Sequence, residues 1–383
     1  MTGPSDDFDG RSESGPDDAE LSRRFAQFSA TSAPRAPLYA ALSVGISRDP
    51  ALHGLLAAAP PTQRMPVLLF AAVHRLLLDE PGHPLASWYP NLTVDHRAPS
   101  DRALLPTFSA FVAERRDELV RILHRRTTQT NEVGRCALLL PAFGMLAAEV
   151  GPLAHLDVGA SGGLNLLLDR YRYEYAPRSA NGIAAAVTVV GEPSPVVIRT
   201  ETTGDVPFPA TMPTVGTRCG IDRTPVDVTD DGEARWLEAC VWPDQADRFH
   251  RLVEAIGIAR EHPPELLAGD AVGSLAPAVE RIARAGHPVV TNSWVLNYLT
   301  SAERVAYLAE LERLGTAGDL SWVYAEAPAL IPELPNEPDP VDPHRTVLSM
   351  VRWRNGERRV DHLASCHPHG FWIQWRGGST SER

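Results

Sequence analysis

The sequence lacks the short motifs that mark several common classes of enzyme. Only four of the 383 residues are cysteine, and no two form a C-x-x-C pair, which argues against a disulfide framework. Neither a G-x-S-x-G elbow nor a G-x-x-x-x-G-K-[ST] loop is present, so a serine hydrolase and a P-loop nucleotidase are not supported. Cys366-His367-Pro368-His369 has no further metal ligands nearby in the sequence, and we predict no metal site.

Long runs of positive charge and of apolar residues are also missing. The formal net charge is −12 and the pI is about 5.5. Such an acidic chain repels phosphate backbones, so we expect no nucleic-acid partner. No window of about 18 apolar residues is free of charge and proline, so we expect no transmembrane helix and no membrane partner. Residues 1–20 lack the apolar region of a signal peptide, which favours a cytoplasmic location.

Three segments differ in pattern. Residues 1–17 are acidic and polar, which predicts a disordered tail. Residues 18–151 carry helical signals and predict an all-helical accessory or cap domain. Residues 152–383 alternate strands with helices, which predicts an α/β domain with an insertion at about 176–217. The helices predicted before residue 152 are Leu21–Ala30, Pro66–Leu78, Phe108–Arg125 and Cys136–Val150.

The α/β segment predicts a Rossmann-like sheet. Five strands separated by helices would run parallel, and Asn355-Gly356 predicts a C-terminal antiparallel hairpin because both residues tolerate positive φ. This order resembles the sheet of class I S-adenosylmethionine methyltransferases. The predicted strands are Pro152–Val158, Pro195–Thr200, Val215–Asp222, Leu266–Ala268, Pro288–Asn292, Leu320–Glu326, Thr346–Trp353, Arg358–Leu363 and Phe371–Trp375. The predicted helices are Leu164–Tyr173, Glu233–Ala255 (with a kink at Trp242-Pro243), Leu275–Ala285 and Ala302–Leu314.

A glycine-rich turn between a strand and a helix is the main motif. Asp157 is followed by Gly159, Ser161 and Gly163, a pattern similar to the acid-x-Gly-x-Gly-x-Gly motif I of methyltransferases, with serine in place of the middle glycine. The small residues allow a sharp turn and a close ligand, and the following helix N-terminus would offer free N–H groups. The resemblance implies that these four residues bind S-adenosylmethionine. The alternative is a tight turn without a ligand.

Two later strand ends carry further candidates for the cofactor site. Asp222 ends the second predicted parallel strand, where methyltransferases place the acid that binds the ribose hydroxyls. Asp270, followed by Ala271, comes after the third and resembles the residue that binds the adenine amino group. Either aspartate could instead cap a turn or a helix.

Candidates for the substrate side follow the fourth and fifth parallel strands. Asn292 and Trp294 lie where methyltransferases place substrate-facing residues, at the carboxyl end of the sheet. Glu326 ends the fifth strand and could act as a general base. The acidic, proline-rich segment 328–344 could act as a lid. Ordinary loop packing is the alternative for each of them.

The chain also resembles the actinobacterial DUF2332 family, which has no established reaction. The resemblance covers nearly the whole chain after the acidic tail. It rests on TNEVGR (Thr130–Arg135), LDVGASGGLNLLLDRYRY (Leu156–Tyr173), RCGIDRTPVDV (Arg218–Val228), ACVWPDQADR (Ala239–Arg248) and AGDA (Ala268–Ala271).

Three functions remain open from the sequence. The leading hypothesis is a methyltransferase-like enzyme acting on a small molecule, with S-adenosylmethionine as cofactor and catalysis mainly by orientation. The second is an enzyme of specialised metabolism that uses the same cleft for a cyclisation or another displacement without methyl transfer. The third is a scaffold that binds a ligand or a protein partner without turnover, since a fold does not determine a function.

Overall fold

One large mixed sheet organises the α/β part of the chain. The computed structural model describes residues 18–178, 186–331 and 345–376. Within these ranges eleven strands form a single sheet, and many helices accompany it. The predicted tail at 1–17 lies outside the described residues, as does most of the segment predicted to be a lid.

The chain forms two compact units, Met1–Thr128 with Ala239–Ala246, and Gln129–Glu238 with Asp247–Arg383. The described part of the first unit contains helices and no strand. Tyr39 stacks on Phe70 with 4.2 Å between ring centroids, which places an aromatic cluster at its centre. Its helices are α1 (Asp18–Ser32), α2 (Pro37–Ile46), α3 (Pro50–His53), α4 (Pro66–Asp79), α5 (Leu104–Glu114) and α6 (Arg116–Arg125).

Two predicted long helices are each divided in two. The helix predicted over 108–125 is broken at Arg115, whose backbone leaves the helical region at φ −106° and ψ 16°. The helix predicted over 233–255 is two helices, because Pro243 cannot continue a hydrogen-bonded turn. The residues between them belong to the first unit, where Trp242 packs against Phe28 and Tyr39.

The second unit contains the sheet and the remaining helices. The helices are α7 (Cys136–Val150), α8 (Asp231–Ala239), α9 (Ala246–Glu261), α10 (Leu275–Ile282) and α11 (Ser301–Ala317). The strands are β1 (Leu153–Val158), β2 (Arg172–Pro177), β3 (Thr188–Val190), β4 (Val197–Thr203), β5 (Val215–Asp222), β6 (Glu265–Ala268), β7 (His287–Ser293), β8 (Leu320–Glu326), β9 (Thr346–Arg354), β10 (Glu357–Cys366) and β11 (Trp372–Trp375). Their order in the sheet is β3-β2-β4-β11-β10-β9-β8-β7-β1-β5-β6.

Five neighbouring strands, β6-β5-β1-β7-β8, are all parallel, as the sequence predicts. Every residue of β1 and β8 is buried, which is typical of a strand covered on both faces. The chain runs from β1 outward to β5 and β6, then returns to the other side of β1 for β7 and β8. The strand order therefore reverses between β1 and β7, the kind of position where open α/β sheets bind ligands.

The predicted hairpin is present, but the sheet continues beyond it. β9 and β10 are antiparallel and joined at Asn355 and Gly356, with φ of 52° and 80°. β11 then pairs antiparallel with β10 and parallel with β4. The segment predicted as an insertion thus supplies β3 and β4, which together with β2 just before it extend the sheet on the side of the hairpin.

The predicted helix over 164–173 is wrong over its last three residues. A 3₁₀-helix spans Leu164–Arg170, and β2 begins at Arg172. Tyr171, Tyr173 and Tyr175 are all buried and alternate at the period of a strand. This alternation outweighs the helical propensity of the leucines before it.

α7 is the apolar helix of the second unit. The stretch Val133–Val150 is long and apolar enough to cross a membrane by length and composition, and 67% of it is buried inside the structure. A buried core helix passes the same test, so this burial is consistent with a soluble protein.

Candidate functional site

The predicted site residues lie along one edge of the sheet. Asp157, Asp222, Asn292 and Glu326 stand at or near the carboxyl ends of β1, β5, β7 and β8. These strands are parallel neighbours, so their carboxyl ends meet at one edge. We call it the carboxyl edge. The antiparallel strands β9 and β11 begin there, so the turn between β10 and β11 lies at the same edge.

The turn after β1 has left-handed backbone at three alternate positions. Gly159, Ser161 and Gly163 have φ of 77°, 51° and 72°. Glycine adopts this conformation freely, whereas serine pays a steric cost. Ser161 Oγ donates to Gln129 Oε1 over 3.1 Å. The serine that departs from the methyltransferase pattern is therefore held in a strained conformation.

The space beside these glycines is filled by the protein itself. A Cβ on Gly159 would lie 2.4 Å from Val295 Cγ2, and one on Gly163 would lie 2.6 Å from Pro264 Cγ. Both residues therefore permit close packing within the chain. The short 3₁₀-helix after the turn also removes the long helix N-terminus that the sequence predicts.

Most backbone N–H groups of the turn donate hydrogen bonds to other residues of the protein. Gly159 and Ala160 donate to the carbonyl of Ile221 over 2.8 and 3.1 Å. The Ser161 N–H donates to Asp222 Oδ2 over 2.8 Å. Asp222 therefore fixes the turn against the end of β5.

Asp157 is a buried carboxyl with one oxygen uncommitted. Its side chain is 4% exposed, and Oδ1 accepts a hydrogen bond from Thr291 Oγ1 over 2.7 Å. Oδ2 makes no hydrogen bond to the residues that the structure describes. Burial disfavours the ionised form and raises the pKa of Asp157 to about 7.

Asp270 and Ala271, predicted to hold adenine, lie in a turn after β6. Asp270 Oδ1 accepts the N–H groups of Val272 and Gly273 over 3.0 and 2.8 Å. These bonds lower the pKa of the exposed Asp270 carboxyl. Ala271 is buried in the hydrophobic core of the sheet, where it offers no polar group to a ligand.

Glu326 and Asn292 form a buried polar network. Glu326 Oε1 accepts Asn292 Nδ2 and the N–H of Val295, each over 2.8 Å. Asn292 Oδ1 in turn accepts from Trp322 Nε1 and Tyr307 Oη, over 2.6 and 3.2 Å. Asn292 is thus held by three partners and orients Glu326.

The second oxygen of Glu326 has no hydrogen-bond partner among the described residues, although the side chain is fully buried. Burial raises the pKa of Glu326 to about 7. An unpartnered buried carboxylate oxygen is costly. The hydrogen bonds from Val295 and Asn292 favour the ionised form of Glu326, and Arg135 adds a smaller effect in the same direction.

Trp294 follows β7 with left-handed backbone. Its φ is 56°, which is a steric outlier for a bulky residue. Its indole Nε1 donates to Thr346 Oγ1 over 2.8 Å, and its N–H donates to the carbonyl of Ala325. Strained conformations of this kind cluster at functional sites.

The structure adds a second charged cluster beside these residues, and it includes Glu132 and Arg135 from the TNEVGR segment. Arg135 is buried, and its Nε and Nη1 donate to the carbonyls of Pro368 and Ser293, each over 2.8 Å. Glu132, 2% exposed, contacts the guanidinium of Arg248. His369 also lies against Glu132. TNEVGR contains Glu132 and Arg135, ACVWPDQADR ends at Arg248, and Cys366–His369 ends at His369.

One cavity of the second unit lies elsewhere. It has a volume of about 580 Å³, and its lining includes Met145, Phe208 and Met212. Its walls come from α7 and the segment just before β5, at the edge where β1 begins. The polar residues at the carboxyl edge do not line it.

Comparison with known proteins places the chain in one family. Residues 22–375 match the model of the family described as "Uncharacterized protein conserved in bacteria (DUF2332)", and the chain belongs to that family. No curated protein and no solved structure matches the chain. The description of this family names no reaction.

Proposed function

We propose that the second unit binds S-adenosylmethionine at the carboxyl edge and transfers its methyl group to a small molecule. The observation that carries this proposal is the placement of Asp157 and Asp222. They flank the strained turn 159–163 at the position where the strand order reverses. This position is where open α/β sheets bind ligands.

The chemistry of the carboxylates fits this cofactor. Asp157 Oδ2 would accept from the ligand's ammonium group. The Asp222 oxygens each accept one N–H group and keep lone pairs for ribose hydroxyls. Asp270 uses only Oδ1 internally, which leaves Oδ2 for the adenine amino group. Bound S-adenosylmethionine would supply an activated methyl group, and these carboxylates would orient it.

The residues after β7 would form the acceptor side. Trp294 is anchored at Thr346 and Ala325, so its ring would be a fixed wall for the acceptor. Glu326 accepts the N–H groups of Val295 and Leu296, which holds the turn that carries Trp294. Asn292 would act through Glu326 as a positioning residue.

The protonation of Asp157 would make the binding of S-adenosylmethionine depend on pH. Its pKa of about 7 in the free protein means that a substantial fraction is protonated at neutral pH. A bound ammonium group favours the ionised carboxylate. Binding should therefore release a proton, and affinity should rise as the pH increases through 7.

Calorimetric titration with S-adenosylmethionine and S-adenosylhomocysteine tests the proposal, with NAD as the unrelated ligand. We expect binding that Asp157→Asn and Asp222→Asn each weaken about tenfold or more, since each removes a charge-assisted hydrogen bond. Titration in two buffers of different ionisation enthalpy should reveal the released proton in the wild type and its loss in Asp157→Asn.

Asp205→Asn is the matched control. Asp205 is exposed and follows β4, whose carboxyl end lies at the opposite edge of the sheet. This variant should bind like the wild type. If the wild-type protein binds neither sulfur ligand, methyl transfer is excluded as its function.

A further inference from the structure

The turn between β10 and β11 brings an imidazole to a buried carboxylate. His369 Nδ1 lies 3.2 Å from Glu132 Oε2. Glu132 Oε1 accepts the N–H of Gly134 over 3.0 Å, and Arg251 Nη2 lies 3.5 Å from the same oxygen. The backbone and the arginines therefore hold the carboxylate in place beside the ring.

Glu132 is ionised at all ordinary pH values. Arg248, His369 and Arg251 together keep the pKa of this carboxyl well below its usual range, despite the opposing effect of burial. An ionised carboxylate beside Nδ1 favours the tautomer that carries its proton on Nδ1. The lone pair of His369 then resides on Nε2.

Nε2 of His369 is free to react. The side chain is 20% exposed, and its Nε2 makes no hydrogen bond to any residue that the structure describes. Burial lowers the pKa of His369, with Arg248 and Arg135 adding to the effect and Glu132 opposing it. The ring is therefore neutral near pH 7, the state that a proton acceptor needs.

Arg135 connects this pair to the candidate site. Its guanidinium bridges the carbonyl of Pro368, the residue before His369, and the carbonyl of Ser293, the residue before Trp294. His369 is thus held at the carboxyl edge close to the proposed acceptor side.

We propose that His369 is the general base of this site and that Glu132 positions it. This proposal rests on the proposed function and specifies its substrate class, an acceptor whose hydroxyl or amine must lose a proton. The acceptor's electron pair forms the bond to the methyl carbon, and the carbon–sulfur bond breaks with its electrons remaining on sulfur. The acceptor's O–H or N–H proton moves to Nε2 and leaves later to solvent.

Nitrogen-15 NMR of histidine-labelled protein tests the tautomer directly. His369→Gln identifies the signal by its disappearance, and this exchange is tolerable because the ring is partly exposed. At pH 8 we expect the proton on Nδ1. A His369 ring protonated on Nε2 instead would overturn the proposal.

Carbethoxylation with diethylpyrocarbonate, located by peptide mass spectrometry, tests the reactivity of Nε2. The internal reference is His250, which is exposed on α9. We expect His369 to react and to reach half its maximal rate below pH 6.5, because its pKa is lowered from that ordinary value. In Glu132→Gln the rate at His369 should fall several-fold relative to His250. If His369 stays unmodified while His250 reacts, it is not the base.

The two proposals fail separately. If His369 is reactive and protonated on Nδ1 but the protein binds no S-adenosylhomocysteine, the cofactor is excluded. The carboxylate–imidazole pair of Glu132 and His369 would then still stand. Binding of S-adenosylhomocysteine without reactivity at His369 would keep the cofactor site and exclude this base.

Discussion

The protein shifts the pKa values of three buried carboxyl groups at the carboxyl edge in different directions. Asp157 and Glu326 lose hydration, so burial raises both pKa values to about 7. Glu132 is equally buried, but Arg248 and Arg251 hold its pKa well below the usual range. The site thus contains one fixed negative charge and two that a ligand can change.

Gly163 provides a test of the packing around the turn. Gly163→Ala should lower the free energy of unfolding by about 2–4 kcal/mol, because φ is 72° and the new Cβ would meet Pro264 at 2.6 Å. Urea denaturation measures the change.

Gly257→Ala is its control within the same unit. Gly257 lies inside α9, and no other part of the protein comes within 4 Å of the position that an alanine methyl group would take. Alanine there should therefore stabilise the protein by up to about 1 kcal/mol. Equal effects of the two substitutions would contradict the packing described for Gly163.

Residues of the site were predictable from sequence where they end a strand. Asp157 is the next-to-last residue of β1 and Asp222 the last residue of β5, and their positions at one edge follow from the parallel order. The partnership of Glu132 with His369 was not predictable, because it depends on how the turn 367–371 folds back onto a distant segment. The sequence Cys366–His369 drew attention only as a metal motif, and the described residues contain no group of three potential ligands.

Asn292 shows a different limit of sequence reasoning. Its place at the end of β7 suggested contact with a substrate, but its amide is occupied by Glu326, Trp322 and Tyr307. Two of these partners lie on the neighbouring strand and one on α11. A pattern along one strand carries no information about such partners.

At the scale of elements, the ends of helices follow from short sequence signals where those signals are strong. The capping box at Thr300 and Glu303 begins α11, and Gly151 ends α7 with positive φ. The sequence signals for helix and strand ends were weaker between β1 and β5, where the insertion pairs with the C-terminal strand β11. No local pattern specifies which strand a segment such as Val197–Thr203 will pair with.

The hairpin between β9 and β10 should depend on Asn355. Its φ of 52° suits asparagine and opposes a β-branched side chain. Asn355→Val should lower the free energy of unfolding by about 1–2 kcal/mol, whereas Asn355→Gly should stay within about 0.5 kcal/mol of the wild type. Chemical denaturation of both variants provides the comparison, and a fully tolerated valine would contradict the turn conformation.

At the scale of the whole molecule, the free energy of unfolding should depend on pH through the titration of Glu326. Its folded-state pKa of about 7 lies above the ordinary value of 4.5, so its protonated form stabilises the protein below pH 4.5. That contribution is lost as the pH rises through 7. Unfolding free energies of the wild type, relative to Glu326→Gln, should therefore fall by on the order of 3 kcal/mol between pH 4.5 and 8.

Urea unfolding across this pH range measures the difference in unfolding free energy between the wild type and Glu326→Gln. Contributions from other titrating groups are present in both proteins and largely cancel in this difference. Glu280→Gln is the control, because Glu280 is exposed on α10. If the difference between the wild type and Glu326→Gln changes with pH no more than that of the control, this carboxyl titrates normally in the folded protein.

The pairing of β4 with β11 has a consequence for how the protein is made. Glu201 pairs with Trp372, so among the strands that the structure describes, β4 and its neighbours β2 and β3 pair with the rest of the sheet only through β11. During synthesis the ribosome releases these three strands long before β11 emerges. Until then they present an open strand edge, the feature that favours pairing with other chains. The nascent chain is therefore most vulnerable to aggregation in the interval before its last strand arrives.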